Sequence, residues 1–463
     1  MFERAKKQEG FILVEVLVTV ALLALFFSGI TGAWVSGLQS GRVAGDRTRA
    51  LFLAEEGLAA VQNLRDADFT NLTNGTHGIN DSGSQWAFAG TSDITDMFTR
   101  EVTIATVDAS TKSVTSTVSW EKTDGIVSSV AFISYFTNWI TATSGGWLTP
   151  SQTGVLNLSS TQDGLRVQVS GDYAYIVRSS GSPDFFIVNI TNPSTPTLVG
   201  SLLVENTITD LFVSGSYAYV TGQNNSAELR IINITNPASP TIVGTYDAPG
   251  NANAMSVFVS GTTAYAVRAS STDREFLAVN VMNPAVPVLL GSLDLGDQGN
   301  DVAVSGFYAY VASNSNTQEV QVVNITTPAA PTLAGSYNLS GTSNSSSIAA
   351  NGNLVYFSNN DTLYILDDTT HGSPVWRGST GLGGVINDIT FDGSGLSLIF
   401  AATSFSTREF EVVNVYDPTA PVLIGYVNIT GSSANGVAYD PVLDQVVMAC
   451  TDNSSELITI THP

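Results

Sequence analysis

One phrase, repeated along two thirds of the chain, limits its possible folds more than any other feature. VSGDYAYIV, VSGSYAYVT, VSGTTAYAV and VSGFYAYVA place their glycines at 171, 215, 261 and 306. Weaker copies follow as NGNLVYFS at Gly352, FDGSGLSLIFAA at Gly393, and YDPVLDQVVMAC. A second phrase recurs out of phase with the first: IVNITNPSTPTLVG, IINITNPASPTIVG, AVNVMNPAVPVLLG, VVNITTPAAPTLAG and VVNVYDPTAPVLIG, with a degenerate ILDDTTHGSPVWRG before the last. A period near 45 residues holding four short strands is the signature of a β-propeller blade. In the second copy the strands read TDLFVS, YAYVTG, ELRIINI and TIVGTYD.

Each recurring element has a local reason. Ser-Gly makes a tight turn between the first two strands. The prolines end pairing after the third strand and fix an extended link into the fourth. Seven copies of the first phrase imply seven blades, and the seventh stops after its third strand. The missing strand is found upstream: PSQTGVLNLSS, residues 150–160, aligns with PTLVGSLLVEN and PTLAGSYNLSG. Supplying it from the N-terminal side closes the ring and leaves no open edge. The wording of the repeats resembles the LVIVD-repeat propeller family over about residues 148–463.

The other informative stretch is the N-terminus. A charged leader, MFERAKKQEG, precedes the apolar run FILVEVLVTVALLALFFSGI, which is long enough to span a bilayer as a helix. Its one acid, Glu15, is costly in such a run and calls for a partner. Leader, glycine, phenylalanine, acid and apolar helix together resemble the signal of type IV pilins and pseudopilins. That resemblance implies cleavage by a prepilin peptidase after Gly10, N-methylation of Phe11, and pairing of Glu15 with the terminal amine of a neighbouring subunit. It also implies residence in the inner, cytoplasmic membrane by a single N-terminal helix, and then in an extracellular filament or on the cell surface. Amphipathic spacing after Ile30 extends the expected helix to about Arg65, and three β-like runs within 98–139 suggest a small sheet packed on it through Val102, Ile104, Val114, Val118 and Phe132.

The expected fold class is therefore mainly β with a long N-terminal helix: a leader (1–10), a pilin-like helix (11–65), a small β-head (66–140), a linker (141–149) and a seven-bladed propeller (150–463) closed by an N-terminal strand.

Composition limits partners. Formal net charge is −23, and residues 151–463 carry 25 Asp and Glu against 7 Arg and no Lys. Such a surface repels phosphate backbones, so nucleic acid is not an expected partner. Cys450 is the single cysteine and excludes an internal disulfide; His77, His371 and His462 lack metal-ligand spacing. No Ser/His/Asp set, phosphate loop or paired His ligands is recognisable, so an enzyme is not expected, although propellers do host enzymes.

One column of residues invites a binding reading. Five residues before each repeat glycine stand Arg166, Asp210, Ser256, Asp301, Ser347 and Asp388. Each opens an innermost strand, so the set rings one mouth of the central channel. It offers a shallow polar ligand site, with no cofactor expected and calcium the one candidate cation. The plainer reading is that these side chains bond amides between blades. The recurring Asn189, Asn233, Asn280, Asn324 and Asn414 read as turn-forming residues, and Tyr175, Tyr219, Tyr265, Tyr310 and Tyr356 as packing between blades. The functional expectation is a minor or tip pilin-like subunit that displays the propeller for adhesion or for binding an extracellular ligand. The alternatives are a pseudopilin of a type II secretion-like machine and, less favoured, a surface enzyme.

Overall fold

The structure, a computed structural model, describes residues 13–67, 69–81, 86–107, 111–122, 125–137, 146–158, 162–204, 207–270, 272–341, 344–393, 397–429, 431–452 and 454–463. The chain divides into two compact units, Met1–Ala142 and Thr143–Pro463.

In the first unit, helix α1 runs Leu13–Ala67. Its later half packs on a sheet built from Gly75–His77, Phe98–Thr106, Thr111–Glu121 and Val127–Thr137, with Asp93–Thr95 also paired to Phe98–Thr106. Ala50, Ala54, Ala60 and Val61 face Val102, Ile104, Val114, Val118 and Phe136 across this interface, with Phe132 partly buried against it. Gly57 lies so close to Ser116 that an added Cβ would collide with the serine hydroxyl. Arg100 is buried under the helix, where it donates to Glu56 Oε2 at 2.8 Å, to the Leu53 carbonyl at 3.0 Å and to Asp93.

Two expectations about this region are corrected. The fold class assigned α1 to a pilin-like membrane or filament core, and the localisation anchored the chain in the cytoplasmic membrane by it. Among the described residues no helix is long and apolar enough to cross a membrane. The side chains described without interruption run from Val20 to Thr31, about 18 Å of helix against the ~30 Å of a hydrocarbon core. The rest of the chain is nearly all β. Gly10, Phe11 and most of the 141–149 linker lie outside the described residues, as does the side chain of Glu15.

The second unit consists of seven four-stranded antiparallel sheets. Blade 2 shows the plan, with strands Ile208–Ser214, Tyr217–Gly222, Leu229–Asn233 and Thr241–Tyr246. The innermost strands are Gly164–Ser170, Ile208–Ser214, Ala254–Ser260, Gly299–Ser305, Ser345–Asn351, Ile386–Phe391 and Ala434–Asp440. Each touches the next, and the last touches the first, so the sheets form a closed ring. The seventh sheet takes its outer strand from Ser151–Leu156, paired with Leu457–Thr461.

Local chemistry explains the recurring phrases. Gly171, Gly215, Gly261, Gly306, Gly352 and Gly393 all have φ between +57° and +60°, the left-handed turn conformation that favours glycine. The recurring tyrosines are buried against the following blade: Tyr175 among Leu211, Ala218 and Val220, and Tyr310 among Ile348, Val355 and Phe357. Each recurring asparagine accepts the backbone N–H two residues on, as at Asn189 to Thr191 (3.1 Å) and Asn324 to Thr326 (2.9 Å).

The glycine that ends each xLVG phrase has a different role. A Cβ on Gly200 would collide with the Pro237 carbonyl of the next blade, and Gly244 meets Pro284, Gly378 meets Pro418 and Gly154 meets Pro193 in the same way. The loop carbonyl of each following blade therefore sits in the space a side chain would fill. At Gly425, which blade 7 should cover, the carbonyl belongs to Trp147. The segment that supplies the closing strand thus also supplies the missing loop.

Candidate functional site

The column of residues predicted at the channel mouth is brought together. Arg166, Asp210, Ser256, Asp301 and Asp388 line a cavity of about 250 Å³, walled deeper in by Phe212, Phe258 and Phe391. Ser347 joins through its hydroxyl, 3.4 Å from Asp388 Oδ1. The pairing pattern supplies a seventh member, Gly436, which sequence spacing did not reveal because its blade has a longer first turn, Asp440–Asp444, in place of Ser-Gly. A Cβ at Gly436 would crowd the backbone of Leu165 and Arg166.

These side chains lace the blades together. Asp210 Oδ2 accepts Val257 N–H at 3.0 Å and the Ser256 hydroxyl at 2.8 Å. Ser256 lies equally close to Asp301 Oδ1, and Asp301 Oδ2 accepts Ile348 N–H at 2.8 Å. Asp388 Oδ2 accepts Val437 N–H at 2.9 Å. Arg166 donates to the Asn435 carbonyl at 2.8 Å and stands 3.8 Å from Asp210 Oδ1, which completes the circuit from blade 7 through blade 1 to blade 2. The plainer reading of the column therefore describes what these groups do in the folded chain.

Their electrostatics are nonetheless unusual. Burial raises Asp210 to about 6, with Arg166 opposing and Asp301 adding to the rise. Burial raises Asp388 to about 7, again against the pull of Arg166. Burial works against the Arg166 charge, but Asp388, Asp210 and Asp301 together hold its pKa above the ordinary value. Three carboxylates share one guanidinium, so the channel carries excess negative charge. Among the described residues no three His, Cys, Asp or Glu side chains converge to hold a metal ion.

This arrangement gives the protein a pH signature. A carboxylate whose folded pKa lies above its unfolded value near 3.8 stabilises the fold fully below that value and loses the contribution as pH rises to the folded pKa. The window here is about pH 4 to 7, and Asp388 alone accounts for a change on the order of 4 kcal/mol. Thermal unfolding should occur at a higher temperature at pH 5 than at pH 8, and Asp388→Asn should shrink the difference. A flat profile would contradict the assignment.

A second ring of acids escaped the sequence reading. Immediately before the third strand of six blades stand Asp184, Glu228, Glu275, Glu319, Glu409 and Glu456. Each accepts the backbone N–H that follows its own blade's fourth strand: Glu228 from Ala248 at 2.7 Å, Glu275 from Leu295 at 2.9 Å, Glu319 from Leu339 at 2.8 Å and Glu409 from Ile429 at 2.6 Å. Glu456 takes its donor, Leu158, from the N-terminal segment at 2.8 Å. The signal was present as an acid at one fixed blade position. In blade 5 Thr362 stands there, and the Asp361 carbonyl accepts Leu382 N–H.

Fold and site together define a seven-bladed β-propeller in which three blades match the LVIVD repeat. The LVIVD repeat matches at residues 163–204, 208–248 and 297–339. Among solved structures the chain is similar to one in the crystal structure of a mitotic checkpoint complex, with a TM-score of 0.51 and 11% identity over 68% of this chain and 90% of that one. No curated protein matches the chain. At that identity the likeness shows the fold alone, and 652 solved chains match, so shape does not select a function. The pilin resemblance of the N-terminal residues is not among these matches.

Proposed function

We propose that the chain is a non-catalytic protein-binding subunit whose propeller engages a basic, Lys- or Arg-bearing segment of its partner. The observation that carries this reading is the channel mouth, where Asp210, Asp301 and Asp388 outnumber Arg166 in a cavity with aromatic walls. The surroundings have the same sign, since residues 151–463 carry 25 acids and 7 arginines. A cation entering there offsets the burial that raises the pKa values of Asp210 and Asp388, and Phe212 and Phe258 offer ring faces to it.

The N-terminal part fits a pilin-like assembly role in the same proposal. Leu22, Leu25, Phe26, Phe27, Ile30 and Trp34 of α1 are all exposed. Apolar side chains crowded in this way along one helix need cover from other protein, and helices of like subunits would supply it.

Titration of the full chain with a lysine-rich peptide, an acidic control peptide, calcium and a glycan panel tests the propeller reading. Binding of the basic peptide alone is expected, tighter at pH 8 than at pH 5, weakened by salt and reduced at least tenfold by Asp210→Asn with Asp388→Asn. Binding that ignores these substitutions, or that selects calcium or a glycan, would overturn it.

A further inference from the structure

Among the described residues, the sheet of the first unit ends on a strand paired on one side only. Val127–Thr137 pairs on one side with Thr111–Glu121 over eleven consecutive residues, without a bulge. Among the described residues no strand pairs with its other side. At ~3.4 Å per residue this free edge presents a row of backbone donors and acceptors about 35 Å long. Natural proteins blunt such edges with proline, lysine, bulges or covering elements. The sequence VSSVAFISYFT contains neither proline nor any charged residue. On the face turned away from α1, Val127, Ile133 and Tyr135 are 68%, 66% and 66% exposed.

We infer that this edge is a self-association surface, pairing antiparallel with the same strand of a second copy about a two-fold axis at Phe132. The strand is self-complementary in that register. Val127 meets Thr137, Ser129 meets Tyr135 and Ala131 meets Ile133, so a small side chain lies beside a large one at the last two pairs. No like charges oppose each other, which removes the usual penalty of self-pairing. The product is one continuous sheet with this edge closed, an isologous contact of the kind common in two-fold dimers. The chain's net charge of −23 adds a long-range repulsion that salt screens, so association should strengthen as ionic strength rises. That is opposite in sign to the salt effect on the basic peptide.

Sedimentation of the full chain across a wide concentration range tests this. A monomer–dimer equilibrium is expected, and Ser129→Lys with Ile133→Lys should shift it to monomer without changing the melting temperature. The pair Ala131→Cys with Ile133→Cys should give a covalent dimer on oxidation, whereas each single variant should not. The native Cys450 is fully buried and contributes no crosslink. A monomer at every concentration would overturn the inference. So would a dimer that survives both lysines and never crosslinks, because that dimer would belong to α1 or another surface.

Discussion

Trp147→Ala should lower the stability of the propeller by about 3–5 kcal/mol, the range for emptying a buried aromatic site, and should open the ring at one seam. Trp147 is fully buried among Phe400, Phe410 and Tyr439, with centroid distances of 4.7, 6.1 and 6.2 Å, and lies edge-on to His462 at 5.0 Å. Its indole N–H donates to Asp444 Oδ1 at 3.1 Å, where the Tyr439 hydroxyl also donates, at 2.8 Å. His462 Nε2 is 2.7 Å from the other oxygen. Burial works against the Asp444 charge, but the hydrogen bonds from His462, Tyr439 and Trp147 prevail and hold its pKa below the usual carboxylate range. Losing the indole removes one donor and the packing together, and with them the anchor that holds the Trp147 carbonyl over Gly425. Hydrogen exchange should therefore accelerate at Ser151–Leu156 and Leu457–Thr461 before the other blades. Uniform acceleration around the ring would mean that closure does not depend on this residue.

Glu456→Ala should cost a similar amount, about 3–5 kcal/mol, by leaving a buried cation without its partner. Glu456 and Arg178 are both fully buried, and Arg178 Nη2 donates to Glu456 Oε1 at 3.0 Å. The guanidinium lies 4.4 Å over the Phe186 ring. Burial lowers the Arg178 pKa, with Glu456 opposing, so the pair is held at a high desolvation cost. Because it links blade 7 to blade 1, its loss falls on the opposite side of blade 7 from Trp147, which packs between blades 6 and 7. Adding Arg178→Met to Glu456→Ala should recover much of the stability, since an apolar pair of similar volume avoids the desolvation. If denaturant midpoints show the double variant no better than the single one, the cost lies in the lost Leu158 bond and not in the orphaned charge.

Much of the propeller could be read directly from local chemistry. The Ser-Gly turns, the Asn-Pro links and the alternating small residues and tyrosines are short-range requirements, and each recurs wherever the backbone makes the same move. The column from Arg166 to Asp388 was legible for the same reason, because a fixed offset from a turn glycine fixes a place on the inner strand. Gly436 broke that offset through its longer turn and was missed. The buried acids from Asp184 to Glu456 were visible as a recurring residue type, but their partners lie about twenty residues away, across a loop. The glycines of the xLVG phrases were seen and given no reason, since the carbonyls they admit come from the next blade.

The N-terminal reading went furthest beyond what the structure supports. An apolar run with one acid suggested a membrane span, yet the described part of α1 does not provide one, and its later half is held by packing on a sheet.

The sequence alone determined the repeat unit, its four strands and the strand that closes the ring. These follow from period, turn residues and alternation, all of them short-range. Tertiary structure alone decided what the recurring spacing is for. It converted the polar column into a laced circuit of hydrogen bonds with too few cations, placed Trp147 where a seventh loop should be, and, among the described residues, left one neutral strand edge without a pairing strand. Each of these depends on groups that meet only when the ring or the sheet is complete, where burial sets the charge balance and no local pattern records it.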